Sequence, residues 1–221
     1  KERKKELEGY GCEVGTTRAR GTQSPSLEAR GRLAVASGCK VFLSLHSDAS
    51  GGAATRGVTC IRSLQRPGSV KLACALAKAV KEAMGTKFSP YAGATADGEW
   101  TRAYSTTAWG KTHDYYGVIR AAVTGACVEH AFLLEHSFHT NPTDCAFLDT
   151  GKGQAALAKA EAKALAEYFG MTAKPDQPAQ PQQPAGVKYI VQAGAFAGRE
   201  AAQAQVDKLA GAGFPAFIKE V

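Results

Sequence analysis

Several familiar signatures are missing from this sequence of 221 residues, and each absence closes off a class of protein. No apolar run approaches the ~20 residues needed to cross a bilayer, so no helical membrane span is expected. No signal peptide is visible, because residues 1–8 are charged and helix-like. The six cysteines (Cys12, Cys39, Cys60, Cys74, Cys127, Cys145) contain no C-x-x-C pair, which argues against a zinc ribbon or a thioredoxin-type motif. Several of them lie inside apolar runs and read as small buried residues. No dense Lys/Arg run is interleaved with aromatics, so a dedicated nucleic-acid domain is not expected despite a net charge of +7. That charge suits an anionic partner such as a cell-wall polymer, or simply a solvated basic surface. An opening methionine is missing too. The helix that starts at Lys1 and stops at Gly9 or Gly11 raises the expectation of a removed upstream segment, so the missing signal peptide says nothing of destination.

What is present fits one sizeable domain and a small second piece: 44% hydrophobic and 21% charged residues are ordinary for a globular chain. After the opening helix, residues 12–17 read as a short strand. Ser24 and Pro25 place a cap and a first-turn proline before a helix over 27–34, closed by Gly38. Residues 58–62 suggest another strand. Ser69 stands where a cap is needed for a helix whose Val70, Ala73, Leu76, Ala77, Val80 and Met84 share one face, ended by Gly85. Residues 86–116 are polar, small and aromatic, including Trp100 and Trp109. Such a segment is either a functional loop, its aromatics suiting a sugar or peptide groove, or a loop anchored by them. A last amphipathic helix is expected over 154–169, ended by Gly170. Strands interleaved with helices predict an α/β fold with a mostly parallel sheet and helices on both faces.

Two apolar runs break in the same way. Val41-Phe42-Leu43-Ser44-Leu45 ends at His46, before a polar, Gly-rich turn, and Ala131-Phe132-Leu133-Leu134 ends at Glu135, before His136-Ser137-Phe138-His139-Thr140-Asn141-Pro142. Runs of this length bounded by turn residues fit buried strands, and open α/β sheets build their sites at the carboxyl ends of strands. If the two strands are neighbours, the His46 imidazole and the Glu135 carboxylate face one cleft. Those are the parts of a zinc hydrolase, one as ligand and the other as general base. Taken alone, a histidine after a strand is more often an ordinary surface residue, and a glutamate at a loop entrance is commoner still. His136 and His139 read as loop supports, and Asn141-Pro142 as a turn behind Glu135.

Beyond this the composition shifts. Lys174-Pro175-Asp176-Gln177-Pro178-Ala179-Gln180-Pro181-Gln182-Gln183-Pro184 has little to bury and reads as an extended linker. A strand over 188–196, a helix over 199–209 and a strand over 214–218 make one βαβ-like unit, too small to carry its own core comfortably.

Together these segments resemble a known family, the zinc-dependent N-acetylmuramoyl-L-alanine amidases of clostridial type. Thr17-Arg18, the 27–34 helix, Phe42-Leu43-Ser44-Leu45-His46 and Leu134-Glu135-His136-Ser137-Phe138-His139-Thr140-Asn141-Pro142 carry the resemblance over residues 1–171. The tail is similar to a SPOR module, a ferredoxin-like fold that binds glycan strands stripped of stem peptides. Val191-Gln192-Ala193-Gly194-Ala195-Phe196 and Gly213-Phe214 carry that match, and only its first half is present at 187–221, after a linker over 172–186. The resemblance implies a secreted, cell-wall hydrolase that cuts the amide between muramic acid and L-alanine in peptidoglycan. It makes His46 a ligand of Zn2+ and Glu135 the catalytic glutamate that takes a proton from water and returns it to the leaving amine. Zinc would polarise the amide carbonyl and lower the pKa of its water. The family's other two ligands are expected upstream of Lys1, so this chain alone is expected to bind zinc weakly and to cut little. A different reading makes it a non-catalytic peptidoglycan-binding protein on a degenerate amidase fold. A further one takes the tail as an RNA-binding module with stacking aromatics at Tyr189, Phe196, Phe214 and Phe217.

Overall fold

The computed structural model describes residues 2–18, 24–91, 93–104, 112–174 and 198–211. The chain divides into two units, Lys1–Asp176 and Gln177–Val221. The first contains α1 (Glu2–Gly9), α2 (Leu27–Ala36), β1 (Val41–Asp48), β2 (Thr59–Arg62), α3 (Val70–Met84), β3 (Glu99–Trp100), α4 (Gly117–Ala122), β4 (His130–Phe138), α5 (Pro142–Leu148) and α6 (Gly151–Tyr168). In the second, α7 (Arg199–Gly211) is the described element. Most of the proline-rich linker, the strands anticipated at 188–196 and 214–218, and the four tail aromatics lie outside the described residues.

The sheet runs β1-β4-β2-β3. β1 is parallel to β4 and β2 to β3, while β2 meets β4 antiparallel. The mostly parallel sheet is therefore observed, with one antiparallel joint. Period-2 alternation along the strands divides the core in two. On one face Leu43, Phe132 and Leu134 pack with Leu72, Leu76 and Val80 of α3 and Leu157 of α6. On the other, Phe42, Ala131 and Leu133 pack with Ala34 of α2, Val118 and Ile119 of α4, and the partly buried Trp100 and Tyr116. β4 is central and buried along its whole length. Each fully buried Leu or Ile contributes about 1.5–3 kcal/mol relative to exposure.

Local chemistry explains where these elements begin and end. Ser26, rather than the anticipated Ser24, caps α2 by accepting from the Ala29 N–H at 3.1 Å, so Pro25 precedes the helix instead of opening it. Gly31 of α2 sits against α4, where an added Cβ would lie 2.4 Å from Ala121 Cβ. α3 ends at Gly85, whose φ of 61° is left-handed and costs glycine little.

Other expectations need correction. Ser69 stands at the N-cap of α3 as expected, but its hydroxyl makes no capping bond there; it also ends a 3-10 turn (Pro67–Ser69), and the hydroxyl lies 2.9 Å from His130 Nδ1. Residues 12–17 form no strand, having no ladder partner among the described residues. Asn141-Pro142 is more than a turn: Asn141 caps α5 by accepting from the Thr143 and Asp144 N–H groups, with Pro142 in the first turn. α6 starts at Gly151, where Thr150 accepts from the Gly153 N–H. Of the six cysteines, all free, only Cys60 is fully buried.

Candidate functional site

β1 and β4 pair so that His46 stands opposite Glu135 in register. In a parallel pair, registered residues share a face of the sheet. Here it is the face of α2 and α4, because His46 follows Phe42 and Ser44 in alternation and Glu135 follows Ala131 and Leu133. Ser44 Oγ lies 2.8 Å from His46 Nε2, which confirms that those two side chains are on one side. The two strands are neighbours as expected and put His46 and Glu135 on one face, but neither residue ends its strand: β1 runs on to Asp48 and β4 to Phe138.

Just beyond, the ladder slips. His46 pairs Glu135 but Asp48 pairs Phe138, so β4 carries one extra residue, and Ser137 adopts a left-handed φ of 59°. That conformation is held by a buried cluster. The Ser137 hydroxyl donates to Asp144 Oδ2 at 2.5 Å and accepts from the Gly57 N–H at 2.6 Å, while Arg56 pairs with Asp144. The bulge fixes how the chain leaves Glu135.

Glu135 is the group whose environment is most telling. Its Oε2 is buried and has no hydrogen-bond partner among the described residues. Burial, and then the nearby Asp48 carboxylate, push its pKa up to about 7. Asp48 is held by the Tyr91 hydroxyl, which donates to its Oδ2, and by the Ala49 N–H at 2.7 Å. Burial and that hydrogen bond raise the Tyr91 pKa well above the phenol range, so Tyr91 stays neutral. Its ring stacks on Trp100 with centroids 5.1 Å apart and tilts against Phe138. The His46 pKa is lowered, first by burial and then by the Arg30, His136 and Arg18 charges, against an opposing pull from Asp48. His46 is therefore neutral near pH 7, the form that donates a lone pair.

His136 occupies the opposite face, and so does not support the loop in the anticipated way. Its Nδ1 lies 2.7 Å from the His46 carbonyl oxygen, which can only accept, so that nitrogen carries a proton. Its Nε2 faces Glu161 Oε1 of α6 at 2.9 Å and Arg3 of α1 at 3.0 Å. Glu161 is deeply buried; burial raises its pKa, but hydrogen bonds from His136 and Arg3 more than offset this, leaving it below the ordinary value. The network ties β1, β4, α1 and α6 together behind the site. His139 is exposed, 3.2 Å from Ser47 Oγ.

An aromatic arch flanks the carboxylates. Ala103 bridges Asp114, and the Tyr115 N–H donates to the Arg102 carbonyl at 2.8 Å. Asp114 anchors the arch by accepting from Ser63 Oγ and the Leu64 N–H, both at 2.7 Å. Within the long loop, Trp100 and Tyr116 pack against the core cluster on the His46–Glu135 face, which fits the anchoring reading. Asp48, Tyr91, Ser44 and the Arg3–His136–Glu161 network were not anticipated. Asp48 was legible in principle, being two residues past His46 and hence on its side of the strand; the others depend on long-range packing.

A partnerless buried carboxylate oxygen beside a neutral imidazole is suited to metal-assisted hydrolysis. Yet no three His, Cys, Asp or Glu side chains among the described residues converge as a ligand set. A zinc ion held by three of these side chains therefore does not fit, and His46 is the one imidazole on this face.

The family model described as N-acetylmuramoyl-L-alanine amidase matches residues 1–167, and the SPOR domain model matches residues 185–221. No curated protein sequence matches the chain. Among solved structures, Cwp6 from Clostridium difficile is 20% identical with a TM-score of 0.61, covering 75% of this chain and 23% of its own. The catalytic domain of CwlV, an N-acetylmuramoyl-L-alanine amidase from Bacillus (Paenibacillus) polymyxa var. colistinus, is 22% identical with a TM-score of 0.60, covering 77% and 80%. The apo form of the N-acetylmuramyl-L-alanine amidase Ami1 from Mycobacterium abscessus is 16% identical with a TM-score of 0.60, covering 76% and 73%. The chain thus spans less than a quarter of the length of the Cwp6 structure. At these identities the likeness shows a shared fold.

Proposed function

We propose, starting from the fact that this chain belongs to the N-acetylmuramoyl-L-alanine amidase family, that it is a cell-wall hydrolase cutting the amide between N-acetylmuramic acid and L-alanine of peptidoglycan. The observation that carries the reading is the in-register His46–Glu135 pair with its raised carboxylate pKa and partnerless Oε2. A group poised near pH 7 can both take and return a proton. Glu135 accepts the proton of the attacking water and delivers it to the nitrogen of the leaving alanine. Asp48 keeps that proton affinity high, and Tyr91 holds Asp48 in place. Trp100, Phe138 and Tyr91 wall the carboxylates on one side and limit water there.

Zinc is the family's usual cofactor, and it supplies carbonyl polarisation when bound. His46 is the residue of this chain that would hold it. With one imidazole on the face, residues 1–221 alone bind zinc weakly, so no step above is routed through it. In this reading the chain is a catalytic domain at 1–171, a linker at 172–186 and a SPOR segment at 187–221 that engages glycan strands. A wall-degrading domain joined to a glycan-binding one supports work outside the cell, at the wall. Among the described residues no helix is long and apolar enough to cross a membrane.

The test is product analysis by mass spectrometry after digestion of peptidoglycan with zinc in excess. New peptides beginning with free L-alanine are expected, rising in rate as pH rises through about 7, where Glu135 ionises. Glu135→Gln is expected to lower the rate about 10²–10⁴-fold. Wall binding without such peptides would favour the non-catalytic reading instead.

A further inference from the structure

Arg102 is a half-buried guanidinium on the arch beside the catalytic face. It sits 3.7 Å over the Tyr115 ring and 5.8 Å from the rings of both Trp100 and Tyr116. Its Nη1 reaches the Tyr116 hydroxyl at 3.4 Å. Among the described residues it has no carboxylate partner, although other half-buried arginines of this unit do: Arg3 with Glu161, Arg56 with Asp144, Arg62 with Glu99. A cation pinned by aromatic faces keeps its N–H edge available while its plane is fixed, an arrangement suited to two-pronged contact with a carboxylate.

Position connects this cation to the chemistry. Trp100, which it flanks, stacks on Tyr91, and Tyr91 bonds Asp48. Tyr116, which it touches, lies close enough to Glu135 and Asp48 for both to raise its pKa, after burial, against the lowering by Arg102. Asp114, on the segment that bridges Ala103, is buried and bonded to Ser63 and Leu64. The scaffold therefore holds Arg102 at a defined place at the edge of the site.

We propose that Arg102 is a specificity residue that receives a free carboxylate of the substrate's peptide, one residue beyond the alanine at the cut. This rests on the amidase reading and names what the site prefers within it. The half-exposed aromatic faces of Tyr115 and Tyr116 bracket the peptide while Arg102 pairs with its charge. Substrates whose carboxylate is amidated bind less well, because a carboxamide offers one acceptor and no charge.

The test uses equilibrium binding of the full chain to N-acetylmuramoyl-L-alanyl-D-isoglutamate and to its isoglutamine counterpart, by calorimetry at low salt. The wild type is expected to favour the free acid about tenfold, the scale of one charge-assisted pair. Arg102→Ala should weaken the free acid more than the amide form and so lose the preference; Arg102→Lys should restore part of it. Circular dichroism of the variants establishes that they fold. A wild type that binds both ligands equally, or an Arg102→Ala variant that keeps the preference, overturns the proposal. A wild type that binds neither overturns the amidase reading along with it.

Discussion

The buried network behind the site sets the first prediction. Glu161 has a side chain only 2% exposed and takes hydrogen bonds from Arg3 Nη2 at 2.7 Å and His136 Nε2 at 2.9 Å. Glu161→Ala removes the shared acceptor and leaves a guanidinium and an imidazole without it. Breaking a buried pair from one side costs about 3–5 kcal/mol. Arg3 is 26% exposed and can turn partly toward water, so the lower end applies, about 3 kcal/mol. For a chain of this size that is a drop of roughly 6–12 °C in Tm. The pH dependence has a definite sign. The folded Glu161 pKa lies below the ordinary carboxylate value, so its contribution is full above about pH 4.3 and is lost as pH falls through the depressed folded value. Thermal unfolding followed by circular dichroism should show the full gap between wild type and variant at pH 7, narrowing below about pH 4. Glu161→Gln, which keeps an acceptor, should cost less. A loss under about 1 kcal/mol at pH 7, or a gap that widens in acid, would refute the reasoning.

Two further outcomes follow from packing and donor count. Gly31→Ala would place a methyl 2.4 Å from Ala121 Cβ and 2.5 Å from the Ala122 nitrogen, so it should push α2 from α4 at a cost of about 1–3 kcal/mol, read from the denaturant midpoint; an unchanged midpoint would contradict the observed contact. Calorimetric zinc titration of residues 1–221 should show weak binding whose heat disappears in His46→Ala, while a tight site surviving that change would show ligands assembled elsewhere.

Much of the site was legible because strand alternation carries two kinds of information at once. The runs 41–45 and 131–134 located both strands, though the strands continue past His46 and Glu135 to Asp48 and Phe138. Their parallel register then put the two side chains on one face without further assumption. Helix α3 was read through Ser69, its apolar stripe and Gly85, but the Ser69 hydroxyl meets His130 rather than capping the helix. α4, α5 and β3 were missed because they are short, with β3 only two residues long, too few for a period to register. His136 could not be placed from sequence: one residue past Glu135 alternation sends it to the other face, and its role depends on Arg3 and Glu161, 133 and 25 residues away. The Glu135 pKa is of the same kind, set by burial and by Asp48 on another strand.

The account turns on Glu135 as the group that holds and moves the proton. Site-resolved NMR titration of its side-chain carboxyl in the metal-free chain tests this directly, with Glu135→Gln identifying the signal. A midpoint near 7 is predicted, shifting downward in Asp48→Asn as the neighbouring charge is removed. A midpoint near the ordinary glutamate value of about 4.3 would contradict it, leaving Glu135 a solvated carboxylate with no special claim to the chemistry.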